Sequence, residues 1–132
     1  MEWSVCTMIL CAGNVQQLCV QEKTDPESTL QFILCQQRDI RRIGSYTLFA
    51  ECLQSTSPKW LSVMRCALGE EGKHLLQTSV AESRHNNMKV SLTFALNGQK
   101  RCVFDSGHWV KPEDGCPGGN TVPDFTHTIK EL

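Results

Sequence analysis

Eight cysteines occur in this chain of 132 residues, yet no two of them are separated by two residues. A C-x-x-C is therefore absent, and with it the usual dithiol redox motif and the knuckles of most structural zinc sites. Positive charge is not in excess either: Lys and Arg number 13 against 14 Asp and Glu, a net charge of -1. Nothing supplies the phosphate-neutralising contribution that dominates nucleic-acid binding, so a nucleic-acid partner is excluded. No run approaches the roughly 20 apolar residues of a membrane span. Gly-rich phosphate loops, a G-x-S-x-G elbow and H-E-x-x-H are all missing. The first residues, MEWSVCTMILCAG, have a short apolar centre after an acidic start and no basic n-region, so they make no convincing signal peptide.

What is present points to one domain. Hydrophobic residues make up 40% and charged residues 20%, enough for a modest core. An even number of cysteines in a short chain favours an oxidised, secretory-pathway protein. Eight cysteines permit on the order of a hundred pairings, so spacing alone selects none.

Helical signals begin at Thr24. Thr24-Asp25-Pro26-Glu27 reads as a capping Thr three residues before a Glu, with Pro in the first turn. Leu30, Ile33, Leu34 and Cys35 then form one apolar face. Arg38, Arg41 and Arg42 suit the negative end of the helix dipole, and Gly44 is a stop signal. This arginine group is either a solvated helix end or a patch for an anion or a partner. Residues 46–54 predict a short helix. Ser57-Pro58 opens another that Gly69 ends, and 70–81 predicts a fourth with Gly72 as a weak point near its start. The helical subdomain is thus expected over about 24–81.

The period then switches. Met88, Val90, Leu92, Phe94 and Leu96 alternate, and Asn97-Gly98 predicts a hairpin with 100–104 returning, a β-hairpin over about 88–104. Gly and Pro crowd the remainder, so 105–132 reads as an irregular tail. Cys102 with His108, and Cys116 with His127, fit no standard zinc spacing. Neither a metal nor a cofactor is indicated.

Order and local sequence together carry a further signal. Cys11-Ala12-Gly13-Asn14, followed after four intervening residues by Cys19, is C-x-x-N-x-x-x-x-C. Downstream come LQFILC (residues 30–35), Cys52, VMRCALGEEGKHLL (63–76) and FALNG (94–98). In this order, over about residues 2–100, the chain resembles the gamma-interferon-inducible lysosomal thiol reductase family. The resemblance implies an α+β chain: a mostly helical, cysteine-rich insertion subdomain of a thioredoxin-like fold with a small hairpin. It also implies structural roles for Cys11, Cys19, Cys35, Cys52 and Cys66, and a lysosomal or secreted location.

The family's activity is reduction of protein disulfides by a C-x-x-C, which this chain lacks. Cys6 lies closer to Cys11 than the corresponding signature cysteine does, and Thr7-Met8-Ile9 replaces Gln-His-Gly. Where thioredoxin-like enzymes place a Pro, usually cis, this chain has Leu92, and a cis bond there would cost about 2.5–4 kcal/mol. The expectation is therefore a truncated or diverged relative without the N-terminal β-α-β half. It has no catalytic residues and acts as a secreted or lumenal binding module for an unidentified protein partner, with Arg38, Arg41 and Arg42 as the candidate patch. The alternative is a thiol–disulfide oxidoreductase using Cys6 and Cys11. Cys102 and Cys116 have no counterpart in the family.

Overall fold

The structure is a computed structural model, and it describes residues 8–54, 59–89, 92–112 and 115–132. It is α+β: among the described residues there are six α-helices, a 3₁₀ turn and one three-stranded antiparallel sheet. By its internal contacts the chain divides into two compact units, Met1–Val80 and Ala81–Leu132.

The first unit is helical. Helix α1 (Met8–Lys23) places Cys11, Val15 and Cys19 at four-residue steps, with Val20 beside them, and buries all four. It packs against α4 (Trp60–Leu68) and α2 (Pro26–Gln37), and α2 packs in turn against α3 (Tyr46–Leu53). Phe32 and Phe49 meet edge to face in the centre, with ring centroids 6.0 Å apart. Leu48, Leu53, Val63 and Leu76 close the core around them. Helices as short as α3 and α4 are marginal alone and depend on this burial.

A polar seam runs through the same interface. Gln36 on α2 is fully buried and its Nε2 donates to Gln16 Oε1 at 3.2 Å, while Gln17 Nε2 donates to Gln36 Oε1 at 2.8 Å. Gln16 Nε2 donates onward to the Gly44 carbonyl at 3.3 Å. Buried amides are tolerated only when paired in this way.

Several expectations are corrected in detail. Helix α1 was not expected: its inner face is built from Cys and Val and interrupted by Gln16 and Gln17, which mutes the apolar stripe. The cap of α2 is Asp25 rather than Thr24. The Asp25 carboxylate accepts from the Ser28 amide at 2.9 Å, whereas the Thr24 hydroxyl donates back to the Val20 carbonyl at 2.7 Å and so closes α1. The Ser28 amide, then its hydroxyl, hold Asp25 below the usual carboxylate range. The Ser57-Pro58 start lies outside the described residues; α4 ends at Gly69 as expected. Helix α5 (Glu70–His85) outruns its expected end at residue 81.

Gly72 is no weak point. It is buried, and a Cβ there would stand 2.6 Å from both the Cys66 carbonyl oxygen and Val15 Cγ1. Its missing side chain is what lets α5 approach that closely.

The second unit holds the sheet. Strands β1 (Thr93–Leu96), β2 (Gln99–Asp105) and β3 (His108–Lys111) lie in that order. Asn97 and Gly98 have φ of 50° and 75°, both left-handed, as a two-residue hairpin turn of this type demands. The pairing sets in at Thr93, so Met88 and Lys89 are not part of the strand; 90 and 91 lie outside the described residues.

The expected irregular tail over 105–132 is also corrected. Ser106 and Gly107, with φ of 51° and 83°, make a second tight turn that returns the chain as β3. Thr121 then opens helix α6 (Val122–Lys130) with a reciprocal capping box: the Asp124 amide donates to the Thr121 hydroxyl, and the Thr121 amide donates to the Asp124 carboxylate. The Thr121 hydroxyl, then its amide, hold Asp124 below the usual carboxylate range. Phe94 pairs with Cys102 across β1 and β2, and Phe104 with Trp109 across β2 and β3. Phe94 lies 6.0 Å from Trp109 and 5.3 Å from Phe125 of α6, centroid to centroid.

Candidate functional site

Thiol chemistry is the first possibility, and the cysteines decide how much of it is available. Cys19 on α1 is bonded to Cys66 on α4, and Cys35 on α2 to Cys52 on α3. Cys102 on β2 is bonded to Cys116, with Cα atoms 5.0 Å apart. Cys11 is disulfide-bonded as well, and no described cysteine is a free thiol. Cys6 lies outside the described residues. Apart from the half-buried Cys35, the described cysteines are no more than 6% exposed. Thiol–disulfide exchange requires a thiolate in line with an accessible sulfur, and these sulfurs offer neither.

Four of the five cysteines expected to be structural therefore form two pairs with each other. Cys102 and Cys116, unassigned from sequence, form the bond the sequence reading missed. The available signal was a cysteine in a predicted strand and another in a Gly-Pro-rich segment shortly after it. Their mutual bond also removes both from the zinc combinations with His108 and His127. No group of three His, Cys, Asp or Glu among the described residues is arranged to hold a metal ion.

Charge at the end of α2 is the second possibility. Arg38 is the C-cap of α2, and Arg41 and Arg42 lie in the 3₁₀ turn Ile40–Arg42. The three do not act as one patch. Arg42 donates to Glu51 at 2.8 Å and Thr47 at 3.1 Å, and stands 3.5 Å from an Asp39 oxygen. The Glu51 carboxylate, with Asp39 behind it, holds its guanidinium above the ordinary range. Arg42 thus ties the 3₁₀ turn to α3. Arg38 and Arg41 remain exposed, with no carboxylate partner among the described residues.

Apolar surface is the third. A groove of about 410 Å³ runs between α3 and α4, lined by Tyr46, Ala50, Leu53, Gln54, Trp60 and Met64. A smaller hollow of about 260 Å³ lies where α1 ends and α2 begins, lined by Gln21, Thr24, Pro26, Thr29, Leu30 and Ile33. The Tyr46 phenol is the one ionisable side chain among these lining residues, and neither hollow holds a carboxylate, His, Lys or Cys; both are shaped mainly for apolar contact.

No family model, curated protein or solved structure matches this chain. Among the described residues, no helix is long and apolar enough to cross a membrane.

Proposed function

We propose that this protein is a disulfide-braced binding module of an oxidising compartment, lumenal or secreted, and that it does not turn over as a thiol reductase. One observation supports this above the others: every described cysteine is committed to a disulfide, and nearly all are buried. A reductase must present a thiolate to its substrate. This chain instead presents apolar hollows and unpaired arginines.

The sequence motifs carry the accompanying proposal of kinship with the lysosomal thiol reductases. On that reading the helical unit corresponds to the family's cysteine-rich insertion, and lysosomal or secreted residence follows. The competing reading, an oxidoreductase using Cys6 and Cys11, draws on one feature. Cys11 sits in the first turn of α1, where unpaired backbone N–H groups favour negative charge.

Alkylation of the pure protein without reductant, read by intact mass, tests the framework. No adduct is expected, together with no reduction of a protein disulfide at acidic pH. Adducts on two or more cysteines, accompanied by turnover, would reverse the assignment. A mixed disulfide trapped with substrate and lost in Cys11→Ser would establish the competing reading.

A further inference from the structure

The outer face of α2 joins apolar side chains to uncompensated charge. Leu30, Leu34 and Arg38 follow one another at four-residue steps, so they share one side of the helix. Leu30 is 55% and Leu34 49% exposed, and Ile40, beside Arg41 in the 3₁₀ turn, is 65% exposed. The 260 Å³ hollow adjoins Leu30 at one end of this strip. Arg38, the C-cap of α2, stands at the other, and Arg41 follows three residues later in the 3₁₀ turn.

Charge sets this strip apart from most of the helical unit, although Arg65 on α4 also has no carboxylate partner among the described residues. Lys23 pairs with Glu71, Arg42 with Glu51 and Lys73 with Glu70. Arg38 and Arg41 have no such carboxylate among the described residues. We infer that the α2 face is a docking strip for an acidic peptide segment of a partner protein. A large aliphatic side chain of that segment enters the hollow beside Leu30, and its carboxylates meet Arg38 and Arg41. This deepens the binding-module reading and rests on it.

Geometry limits the occupant further. Eight helical residues from Leu30 to Arg38 span about 12 Å at ~1.5 Å each. An extended segment covers that distance in roughly three to four residues at ~3.3 Å each. The partner motif is therefore a Leu-, Ile- or Met-type anchor with acidic residues three or four positions away. An anionic membrane is the weaker fit. Stable adsorption draws on a cluster of about four or more basic residues, whereas two arginines stand here on a chain of net charge -1.

The test is selection from a random-peptide phage library on the whole, oxidised protein, followed by fluorescence anisotropy with the synthesised consensus peptide. Enrichment of an aliphatic anchor with acidic residues at that spacing is expected. Arg38→Glu with Arg41→Glu should weaken the consensus peptide about tenfold or more, Leu34→Ser should weaken it too, and Arg38→Lys with Arg41→Lys should restore most of it. Wild-type circular dichroism and absence of alkylatable thiols confirm that each variant folds. Enriched peptides indifferent to all of these substitutions would remove this strip while leaving the binding reading intact. No enrichment at all would overturn both. Binding to phosphatidylcholine–phosphatidylserine vesicles lost on charge reversal, with no acidic peptide selected, would replace the peptide with a membrane surface.

Discussion

The two units are stabilised by different means. In the helical unit Phe32, Phe49, Val20 and Val63 are buried alongside the cysteines, so the Cys19–Cys66 and Cys35–Cys52 bonds brace a core that already exists. In the sheet unit the buried apolar side chains among the described residues are Cys102 and Cys116 themselves. The aromatic rings of Phe94, Phe104, Trp109 and Phe125 touch one another but stay partly open to solvent. There the disulfide is the core. Small domains that cannot bury enough surface rely on such staples, and this chain shows both regimes side by side.

The contrast can be broken most forcefully at Cys19–Cys66, the longest of the three crosslinks described. Removing Cys19–Cys66 with paired Ala substitutions releases a loop of 47 residues, which corresponds to about 4 kcal/mol in the chain-entropy account. Denaturant melts of the helical signal should show that loss with the transition still cooperative, because the phenylalanine core remains. Removing Cys102–Cys116 costs less on the same account, about 3 kcal/mol, yet its visible effect should be more complete. Amide dispersion of residues 92–132 should collapse while the helical resonances stay in place. Equal loss in both units from either pair would show that they do not stand on separate cores.

Gly72→Ala refines the helical side of the comparison. Helix propensity alone favours Ala by roughly 0.8–1 kcal/mol. The added Cβ would press on the Cys66 carbonyl and on Val15, and overpacking typically costs about 1–3 kcal/mol. Net destabilisation of the helical unit is expected, and a stabilised variant would mean the α5 approach is looser than described. In the sheet unit, Thr121→Ala removes the α6 cap for about 1 kcal/mol, measurable as faster hydrogen exchange across residues 122–130.

Acid should treat the two units alike. Asp25 and Asp124 each cap a helix, and their hydrogen bonds lower both below the ordinary carboxylate range. A folded pKa below the unfolded one gives stability that is complete above the unfolded value, near 3.9. That stability disappears as pH falls through the folded value. Thermal melts should therefore be flat in these two caps through mildly acidic pH and decline only in strong acid. Earlier weakening that survives in Asp25→Asn and Asp124→Asn would assign the sensitivity to other groups.

Much of the helical unit was legible because its elements have distinct periods and stops: Leu48, Phe49, Cys52 and Leu53 for α3, and Gly69 for the end of α4. Helix α1 was hidden because cysteines and valines carry its buried face and two of its inward residues are glutamines. The order of the 105–132 segment is hidden in the sequence because its glycines and prolines look like loss of order. Ser106-Gly107 is in fact a hairpin turn, and Thr121-x-x-Asp124 with Pro123 is a helix start. As for the candidate site, the arginine group was visible, but its division was not. Glu51 is nine residues from Arg42 in sequence, and only the fold brings that carboxylate to one arginine and leaves the other two open.

The glutamine seam has a consequence for how this chain can drift. Gln36 alone exchanged for Leu would strand the buried Gln16 side-chain oxygen and leave the half-buried Gln17 amide without its acceptor. Gln16 exchanged alone would leave the Gln36 amide without its acceptor. Positions 16, 17 and 36 therefore behave as one inherited unit: descendants of this sequence should keep all three amides or abandon them together for an apolar set.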